Sequence, residues 1–331
     1  MAFDNIRLEK GLYTTGKSFT QALEELDPSE NYVGTSLEGL DAYERQLKRF
    51  DIKVSGVNSD PVAKFFATTD SAALFPEYVS RAVHLGIENG YSANDIVATT
   101  TQIDSLDYRS IFCEDMDFTL QEVEEGATLP ELTISLNDKL TELKKHGRML
   151  VASYEAIKYQ KLDLFTTMLK KIGDSIAASE FEQAVVAISK SDLPIQNFEM
   201  QGDAITYNQL IQFWASFLPY KLNTVVASKT MLTNILCIPE ISDSLKGNEL
   251  ISSGNLISPL GINFFCYGRD EDNVMVGIDK NYALEKVQAG GIITEFDKLI
   301  DRQLERATIS TIVGFSVLYE DAIKTVIMGG N

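Results

Sequence analysis

Three features of the sequence predict an α+β fold. Apolar residues recur at helical spacing over residues 153–190, through Ile157, Phe165, Met168, Leu169, Ile172, Ile176, Val185 and Ile188. Leu132, Ile134 and Leu136 alternate with Thr133, Ser135 and Asn137, the period of two that marks a strand with one buried face. After Pro194 short helical and short apolar segments alternate, and the chain closes on the β-rich residues 292–327. Of the 331 residues, 44% are hydrophobic and 23% charged, close to ordinary globular values, so a real core is expected. A domain usually takes about 100–200 residues, so two intimately joined domains are the first expectation.

Residues 1–69 read as an arm rather than a core. Short pieces are broken by Gly11, Gly16, Pro28, Gly34 and Gly39, with only a modest helical pattern through Leu40, Tyr43, Leu47 and Phe50. From residue 70 the pattern firms up. Asp70 or Ser71 can cap a helix with Leu74, Tyr78, Val79, Ala82 and Leu85 on one face, and Gly86 or Gly90 can end it. Residues 96–150 read as extended chain, with Phe118 and Leu120 as a partner strand for residues 132–136 and a turn region at Gly126 and Pro130. The helix of residues 153–190 would be about 55 Å long at 1.5 Å per residue. Gly173 inside it costs about 1 kcal/mol relative to alanine and marks where it would bend or break. Beyond it we expect a helix at 207–218, a strand at 224–227, a helix at 230–236, strands at 262–267 and 274–278, and an alternating strand at 308–318. No internal repeat or low-complexity tract is present in the sequence.

Subtracting 48 acidic from 29 basic residues leaves a net charge of −19. This argues against a sequence-reading DNA-binding protein, which neutralises phosphates with clustered Lys and Arg, but not against a container for nucleic acid. Cys113, Cys237 and Cys266 are widely spaced and odd in number, so buried reduced thiols are expected rather than a disulfide framework or zinc knuckle. No stretch approaches the roughly 20 apolar residues of a membrane span, and the first residues lack the pattern of a secretory signal; a cytosolic chain is expected. His84 and His146 are too few for a histidine-rich metal site and are expected at the surface or an interface.

One motif points elsewhere. Gly11, Gly16, Lys17 and Ser18 match GxxxxGK[ST], the signature of a phosphate-binding loop. Such a loop needs a buried strand leading in and a helix leading out, so that backbone amides converge on phosphate. The ten residues before it, with Asp4, Arg7, Glu9 and Lys10 among few apolar positions, do not supply that strand. No GxSxG, HExxH or GxGxxG is present, so no catalytic residue, cofactor or metal ligand is assigned and a non-enzymatic protein is expected.

Residues 114–131 hold Glu114, Asp115, Asp117, Glu122, Glu124, Glu125 and Glu131 and no Lys or Arg. A long hairpin with an acidic tip fits. Basic counterparts follow at once in Lys139, Lys144, Lys145 and Arg148. A hairpin projecting from its own domain leaves edges and an apolar face that docking on a neighbouring copy would cover, which predicts self-assembly.

The element order resembles that of tailed-bacteriophage major capsid proteins with the Hong Kong 97 fold. Ala73-Leu74-Phe75-Pro76-Glu77-Tyr78-Val79 resembles the start of that family's peripheral domain. Residues 145–156, beginning Lys145-His146-Gly147-Arg148, look like its strand leading into the spine helix, and Val274-Met275-Val276-Gly277-Ile278-Asp279 is similar to its strand returning from the axial domain. Arg306 through Leu318, followed by Tyr319-Glu320-Asp321-Ala322, resembles its last peripheral strands.

The resemblance runs from about residue 70 onward. It implies an N-terminal arm at 1–69, then a first part of the peripheral domain at 70–199 carrying an extended loop (98–150) and a spine helix (153–190). An axial domain at 200–285 and peripheral return strands at 286–331 would follow. It further implies self-assembly into pentamers and hexamers of an icosahedral shell around double-stranded DNA, bound by non-specific contact, in a virion put together in the host cytoplasm. Scaffolding, portal and decoration proteins are the implied partners, and no membrane is. Some relatives begin with a helical scaffolding extension; its absence here implies a separate scaffolding protein or a chain after cleavage, and Met1 favours the former. Some relatives crosslink the extended loop covalently through Lys and Asn; residues 114–131 contain neither. An encapsulin-type nanocompartment shell is the nearest rival, and a nucleotide-using enzyme built on Gly11 to Ser18 the rival of another class.

Overall fold

The computed structural model describes residues 4, 6–13, 18–113, 120, 122–129, 131, 133–153, 155, 159–191, 193–201, 205–241, 259–268, 275–299 and 301–329. Its elements are, in chain order, α1 (Phe19–Leu26), α2 (Ala42–Arg49), α3 (Thr69–Ala72), α4 (Phe75–Asn89), β1 (Thr99–Ile103), β2 (Ile111–Cys113), β3 (Ile134–Leu136) and β4 (Lys144–Ser153). There follow α5 (Leu162–Ser189), β5 (Gln196–Gln201), α6 (Tyr207–Ala215), β6 (Thr224–Ser228), α7 (Lys229–Leu236), β7 (Asn263–Tyr267), β8 (Met275–Ile278), β9 (Leu284–Ala289), β10 (Ile293–Leu299), β11 (Leu304–Val317) and β12 (Ile323–Gly329). They form two compact units: Met1–Gly90, His146–Ala177 and Ile292–Thr311 in the first, and Tyr91–Lys145, Ala178–Gly291 and Ile312–Asn331 in the second.

The first unit corrects the expectation that residues 1–69 lack a core. Ser18 caps α1 by accepting from the Gln21 amide at 3.2 Å, while the Gln21 side chain accepts from the Ser18 amide at 3.0 Å. Asp41 and Glu44 close the same reciprocal box on α2. Each helix has only eight residues, but its i, i+4 apolar pair is buried: Phe19 with Leu23, and Tyr43 with Leu47. These side chains share one hydrophobic core with Val62, Phe65, Leu74, Tyr78, Val79, Leu162 and Leu169. Arg45 holds the segment together from inside, fully buried and pairing its Nε with Asp27 at 2.8 Å.

Helix α4 is also entered differently from the sequence expectation. Thr68 rather than Asp70 or Ser71 is the cap, accepting from the Ser71 amide at 3.0 Å on the single-turn α3; α4 then begins with Pro76 in its first turn. It runs through Gly86 to Asn89, and Leu85 is exposed. The reason for Gly86 is steric, because a Cβ there would lie 2.0 Å from the Lys170 carbonyl oxygen of α5. Gly173 answers it: its Cβ would lie 2.0 Å from the Val83 carbonyl oxygen. The two helices thus meet backbone to backbone, and α5 is neither broken nor ended at Gly173. At 28 residues α5 is about 42 Å long, and residue 153, expected as its start, ends β4 instead. In the same unit β10 pairs antiparallel with β11 from Ile293↔Ser310 to Leu299↔Leu304, and β4 joins β11 on its other side.

Two tyrosines of this core, Tyr43 and Tyr78, report on its integrity. Tyr78 donates to the Leu162 carbonyl at 2.8 Å, and burial, with the nearby Asp163 carboxylate adding to it, pushes its hydroxyl up to about 12. Burial likewise raises Tyr43, with Glu77 assisting against the lowering effect of Arg81. The folded protein therefore holds these protons more tightly than the unfolded chain, whose tyrosines titrate near ~10. Their stabilisation is complete below about pH 10 and is lost as pH rises toward about 12. Phenolate absorbance during an alkaline titration should rise first for exposed tyrosines, with these two following only as the circular dichroism of the fold collapses. Full ionisation near pH 10 with the fold intact would contradict this assignment.

The second unit contains a five-stranded sheet in the order β5-β12-β8-β6-β7. Strand β12 runs parallel to β5 (Lys324↔Gln196) and antiparallel to β8 (Ile323↔Ile278), and β6 pairs with β8 and with β7. Every residue of β6 and β8 is buried, which is why both read as continuous apolar runs rather than alternating ones. Leu210 and Phe213 of α6 and Met231 and Ile235 of α7 complete that core. A Cβ on Gly277 would come within 2.6 Å of the Phe213 ring, so glycine is the residue that lets α6 settle on β8. The expected division at 200–285 is corrected by β12: this last strand, assigned from the sequence to residues 286–331 of the other domain, lies inside this sheet. Elsewhere in the unit β1 pairs parallel with β9, β9 pairs with the end of β11, and Lys286 meets Glu180 in a buried ion pair of 2.6 Å.

Candidate assembly surface

The chain between β1 and β4 carries the surface that calls for a partner. Strands β2 and β3 form a two-stranded antiparallel ribbon with Ile111 opposite Leu136, Phe112 opposite Ser135 and Cys113 opposite Ile134. The expected partner strand through Phe118 and Leu120 is therefore replaced by residues 111–113; Phe118 and Leu132 lie outside the described residues. Because side chains alternate along a strand, Ile111, Ile134 and Leu136 share one face. They are 60%, 62% and 64% exposed, so the apolar face predicted by the period of two is present and, among the described residues, largely uncovered. A two-stranded ribbon alone is marginally stable in water, and an uncovered apolar face adds to that cost.

The ribbon's root is fixed firmly. The Tyr108 hydroxyl donates to Glu285 Oε1 at 2.7 Å, and the Thr101 hydroxyl donates to the same oxygen. Ser110 and Ser316 share a hydroxyl hydrogen bond of 2.9 Å, and the amides of Asn137 and Thr141 donate to the carbonyls of Ser110 and Tyr108, both at 2.8 Å. Burial and the neighbouring Glu285 carboxylate raise the Tyr108 hydroxyl above its ordinary range, so it remains a donor. Sequence reasoning missed this root. Tyr108 and Glu285 are 177 positions apart, and no local pattern links them.

At the other end Glu124 to Ala127 closes a turn, with the Ala127 amide 3.0 Å from the Glu124 carbonyl and Gly126 at φ +84°, a conformation that glycine adopts without strain. Glu122, Glu124, Glu125 and Glu131 are all exposed, while Glu114, Asp115 and Asp117 lie outside the described residues. Lys139, Lys144, Lys145 and Arg148 are exposed too, and Lys144 pairs with Glu142 at 3.2 Å. The described acids of the segment and these bases thus all lie at the surface of one chain.

The remaining sequence candidates have simpler places. Gly11 and Tyr13 belong to a 3-10 turn, Lys10–Tyr13, and Ser18 uses its hydroxyl to cap α1. Gly16 and Lys17 lie outside the described residues. Among the described residues the first strand starts at Thr99, so no strand leads into this motif and the strand–loop–helix geometry of a phosphate site is missing. Cys237 is exposed and Cys266 half-buried, correcting the expectation of buried thiols; Cys113 lies in β2, with its side chain outside the described set. His84 is exposed and His146 half-buried. No group of three or more metal-ligating side chains occurs among the described residues, and no described helix is long and apolar enough to cross a membrane.

No family model and no curated protein matches the sequence. Solved structures do match the fold. The capsid of a native GTA particle aligns with a TM-score of 0.54 at 14% identity, over 72% of this chain and 90% of that one. The virus-like particle from Pyrococcus furiosus aligns at 0.51 and 14% identity, over 76% of this chain and 98% of its own. The mature capsid of bacteriophage PhiM1 aligns at 0.51 and 12% identity, over 73% and 88%. The chain has the Hong Kong 97 capsid fold. At these identities the likeness is one of fold. The ribbon of β2 and β3 lies within residues 98–150, and α5 within residues 153–190.

Proposed function

We propose that this chain is the major capsid protein of a tailed bacteriophage, and that its copies assemble as hexamers and pentamers into an icosahedral shell around double-stranded DNA. The observation that carries this reading is the β2–β3 ribbon, anchored at its root by Glu285 and Ser316 and exposed on its apolar face, in a chain with a capsid fold. A surface of this kind is completed by another copy, and each copy then joins several neighbours, so modest contacts gain through closure of a symmetric shell. Residues 98–150 are read as the extended loop, α5 as the spine helix and the sheet around β6 and β8 as the core of the axial domain. The net charge of −19 suits a wall that does not grip phosphates and leaves the genome mobile. Scaffolding, portal and decoration proteins are the proposed partners, with assembly in the host cytoplasm and residence in the virion.

Negative-stain microscopy of the expressed protein, alone and with the products of neighbouring genes, tests the reading: closed shells are expected. Replacing Ile134 and Leu136 by serine should leave monomer stability within about 0.5 kcal/mol, as for surface changes, while abolishing shells. Reversing Glu124 and Glu125 to lysine should impair assembly of a still folded monomer, and wild-type assembly should weaken with salt. Undiminished particle yield from both variants would remove the ribbon from the interface. The likeness to the virus-like particle across 98% of that chain favours a second reading, a nanocompartment shell. Packaged DNA with a portal supports the first reading, and an enclosed enzyme supports the second.

A further inference from the structure

A cavity of about 680 Å³ lies within the first unit, between residues 7–13, the α3 turn with the start of α4, and Thr294 of β10. That volume falls in the range of small-ligand sites, about 300–1,000 Å³. Its apolar wall is Leu8, Tyr13, Ala72, Ala73 and Pro76. Hydrogen bonds pin this wall. The Tyr13 hydroxyl donates to the Ala73 carbonyl at 2.8 Å and accepts from the Glu77 amide at 3.1 Å, and its ring stacks on Phe19 with centroids 4.4 Å apart.

Two polar groups of the lining are unpaired. The Thr294 hydroxyl oxygen is shielded from solvent and makes no hydrogen bond. The carboxylate of the half-buried Asp70 makes no hydrogen bond or ion pair with any described residue. The other two charges of the lining, Arg7 and Glu9, pair with each other at 2.8 Å on the solvent side, so they cancel and Asp70 sets the sign of the cavity. A buried hydroxyl without a partner is costly, and a carboxylate beside apolar surface calls for a counter-ion.

We infer that this cavity is a binding site for a small organic ammonium ion, a protonated primary amine on an apolar stem. An ammonium group donates hydrogen bonds and accepts none, which suits a carboxylate and a hydroxyl oxygen that both lack a donor. The stem lies against the apolar wall, and the aromatic ring of Tyr13 favours a cation over an anion of the same size. A carboxylate ligand would meet Asp70 as a like charge, and an alcohol would leave it without a counter-ion. The cavity joins three stretches that are far apart in the chain, so a bound amine stabilises the folded first unit by mass action. The site is complete in a single chain and needs no neighbouring copy.

Hexylamine, hexanol and hexanoate at neutral pH are the probes, added to the full chain while thermal unfolding and calorimetric binding are followed. A saturable rise in Tm is expected with hexylamine, a smaller one with hexanol and none with hexanoate. Asp70→Asn should weaken hexylamine binding by about tenfold or more, the loss of a charge-assisted hydrogen bond, and Thr294→Val by about threefold, the loss of a weaker one. Ala72→Leu, which fills the cavity from a half-buried position, should abolish binding while leaving both polar groups in place. Should a variant disturb folding, amide hydrogen exchange of the wild type decides: bound hexylamine should slow exchange in residues 7–13 and 69–76 and leave the second unit unchanged. An equal response to hexanol or hexanoate, unchanged affinity in a folded Asp70→Asn, protection confined to other residues, or no saturable response to hexylamine, as when water alone fills the cavity, would each overturn the inference. Particle formation is a separate measurement and decides only the shell reading.

Discussion

Gly173→Ala is expected to destabilise the protein by about 3 kcal/mol, the upper end of overpacking costs, although alanine is the better helix former by about 1 kcal/mol. The Cβ would lie 2.0 Å from the Val83 carbonyl oxygen and 2.9 Å from both Gly86 Cα and the Ile87 amide nitrogen. All three obstacles are backbone, so no side chain can rotate out of the way. Relief requires α4 and α5 to move apart, which loosens Val79, Val83, Leu169 and Ile176 in the core between them. Gly86→Ala should behave alike, with its Cβ 2.0 Å from the Lys170 carbonyl oxygen. The double variant should cost less than the sum, because the first separation makes room for the second methyl. Urea unfolding of the monomer measures all three, and a midpoint equal to or above wild type for Gly173→Ala would refute the backbone-contact explanation.

Arg45→Ala is expected to cost about 3–5 kcal/mol, the effect of stranding one member of a buried ion pair. Arg45 and Asp27 are both wholly shielded from solvent. The guanidinium reaches Asp27 Oδ2 at 2.8 Å, the Asp27 carbonyl at 2.5 Å, Ser29 Oγ at 2.9 Å, the Leu40 carbonyl at 2.6 Å, Glu24 Oε1 at 3.7 Å and the Tyr32 ring, 4.4 Å from its centroid. Tyr32 in turn donates to the other oxygen of Asp27. Removing the arginine leaves a buried carboxylate with only the Tyr32 hydroxyl. Lysine keeps the charge but lacks the planar fork that reaches Asp27, Ser29 and Leu40 together, so Arg45→Lys should recover only part of the loss. Replacing both partners, Arg45→Met with Asp27→Leu, should be milder than Arg45→Ala, since no charge is stranded. Thermal unfolding of the four proteins checks the order. Equal stability of Arg45→Ala and wild type would mean that the pair contributes nothing to the fold.

These two sites differ in how far they could be read beforehand. Gly173 was visible as a glycine in a long helical pattern, and its price relative to alanine suggested a bend. Its purpose appears only when Gly86, 87 positions earlier, comes to rest against the same crossing. Arg45 and Asp27 gave no signal, because a charged residue in a short amphipathic helix ordinarily faces water. The arm reading of residues 1–69 failed for a related reason. Eight-residue helices between turns carry too few turns to show a period, yet capping boxes at Ser18 and Asp41 stabilise them and the core of α4 and α5 covers their apolar pairs.

The candidate surface divides in the same way. The period of two in residues 132–137 and the acidic run at 114–131 belong to neighbouring residues, so a ribbon with an acidic tip could be predicted. Strand pairing could not: β3 takes residues 111–113 rather than 118–120, and the ribbon is pinned by Glu285 and Ser316 from far along the chain.

Periodicity, turn chemistry and charge runs are properties of adjacent residues, so the α+β class, the long helix, the strands near 224–227, 262–267 and 274–278 and the acidic run at 114–131 followed directly from the order of amino acids. Which strand lies beside which, where two glycines let helices touch, whether an apolar face ends up covered, and which side chains gather around one cavity depend on residues tens to hundreds of positions apart. Those contacts are selected by the free energy of the whole packed chain, which no window of neighbouring residues contains.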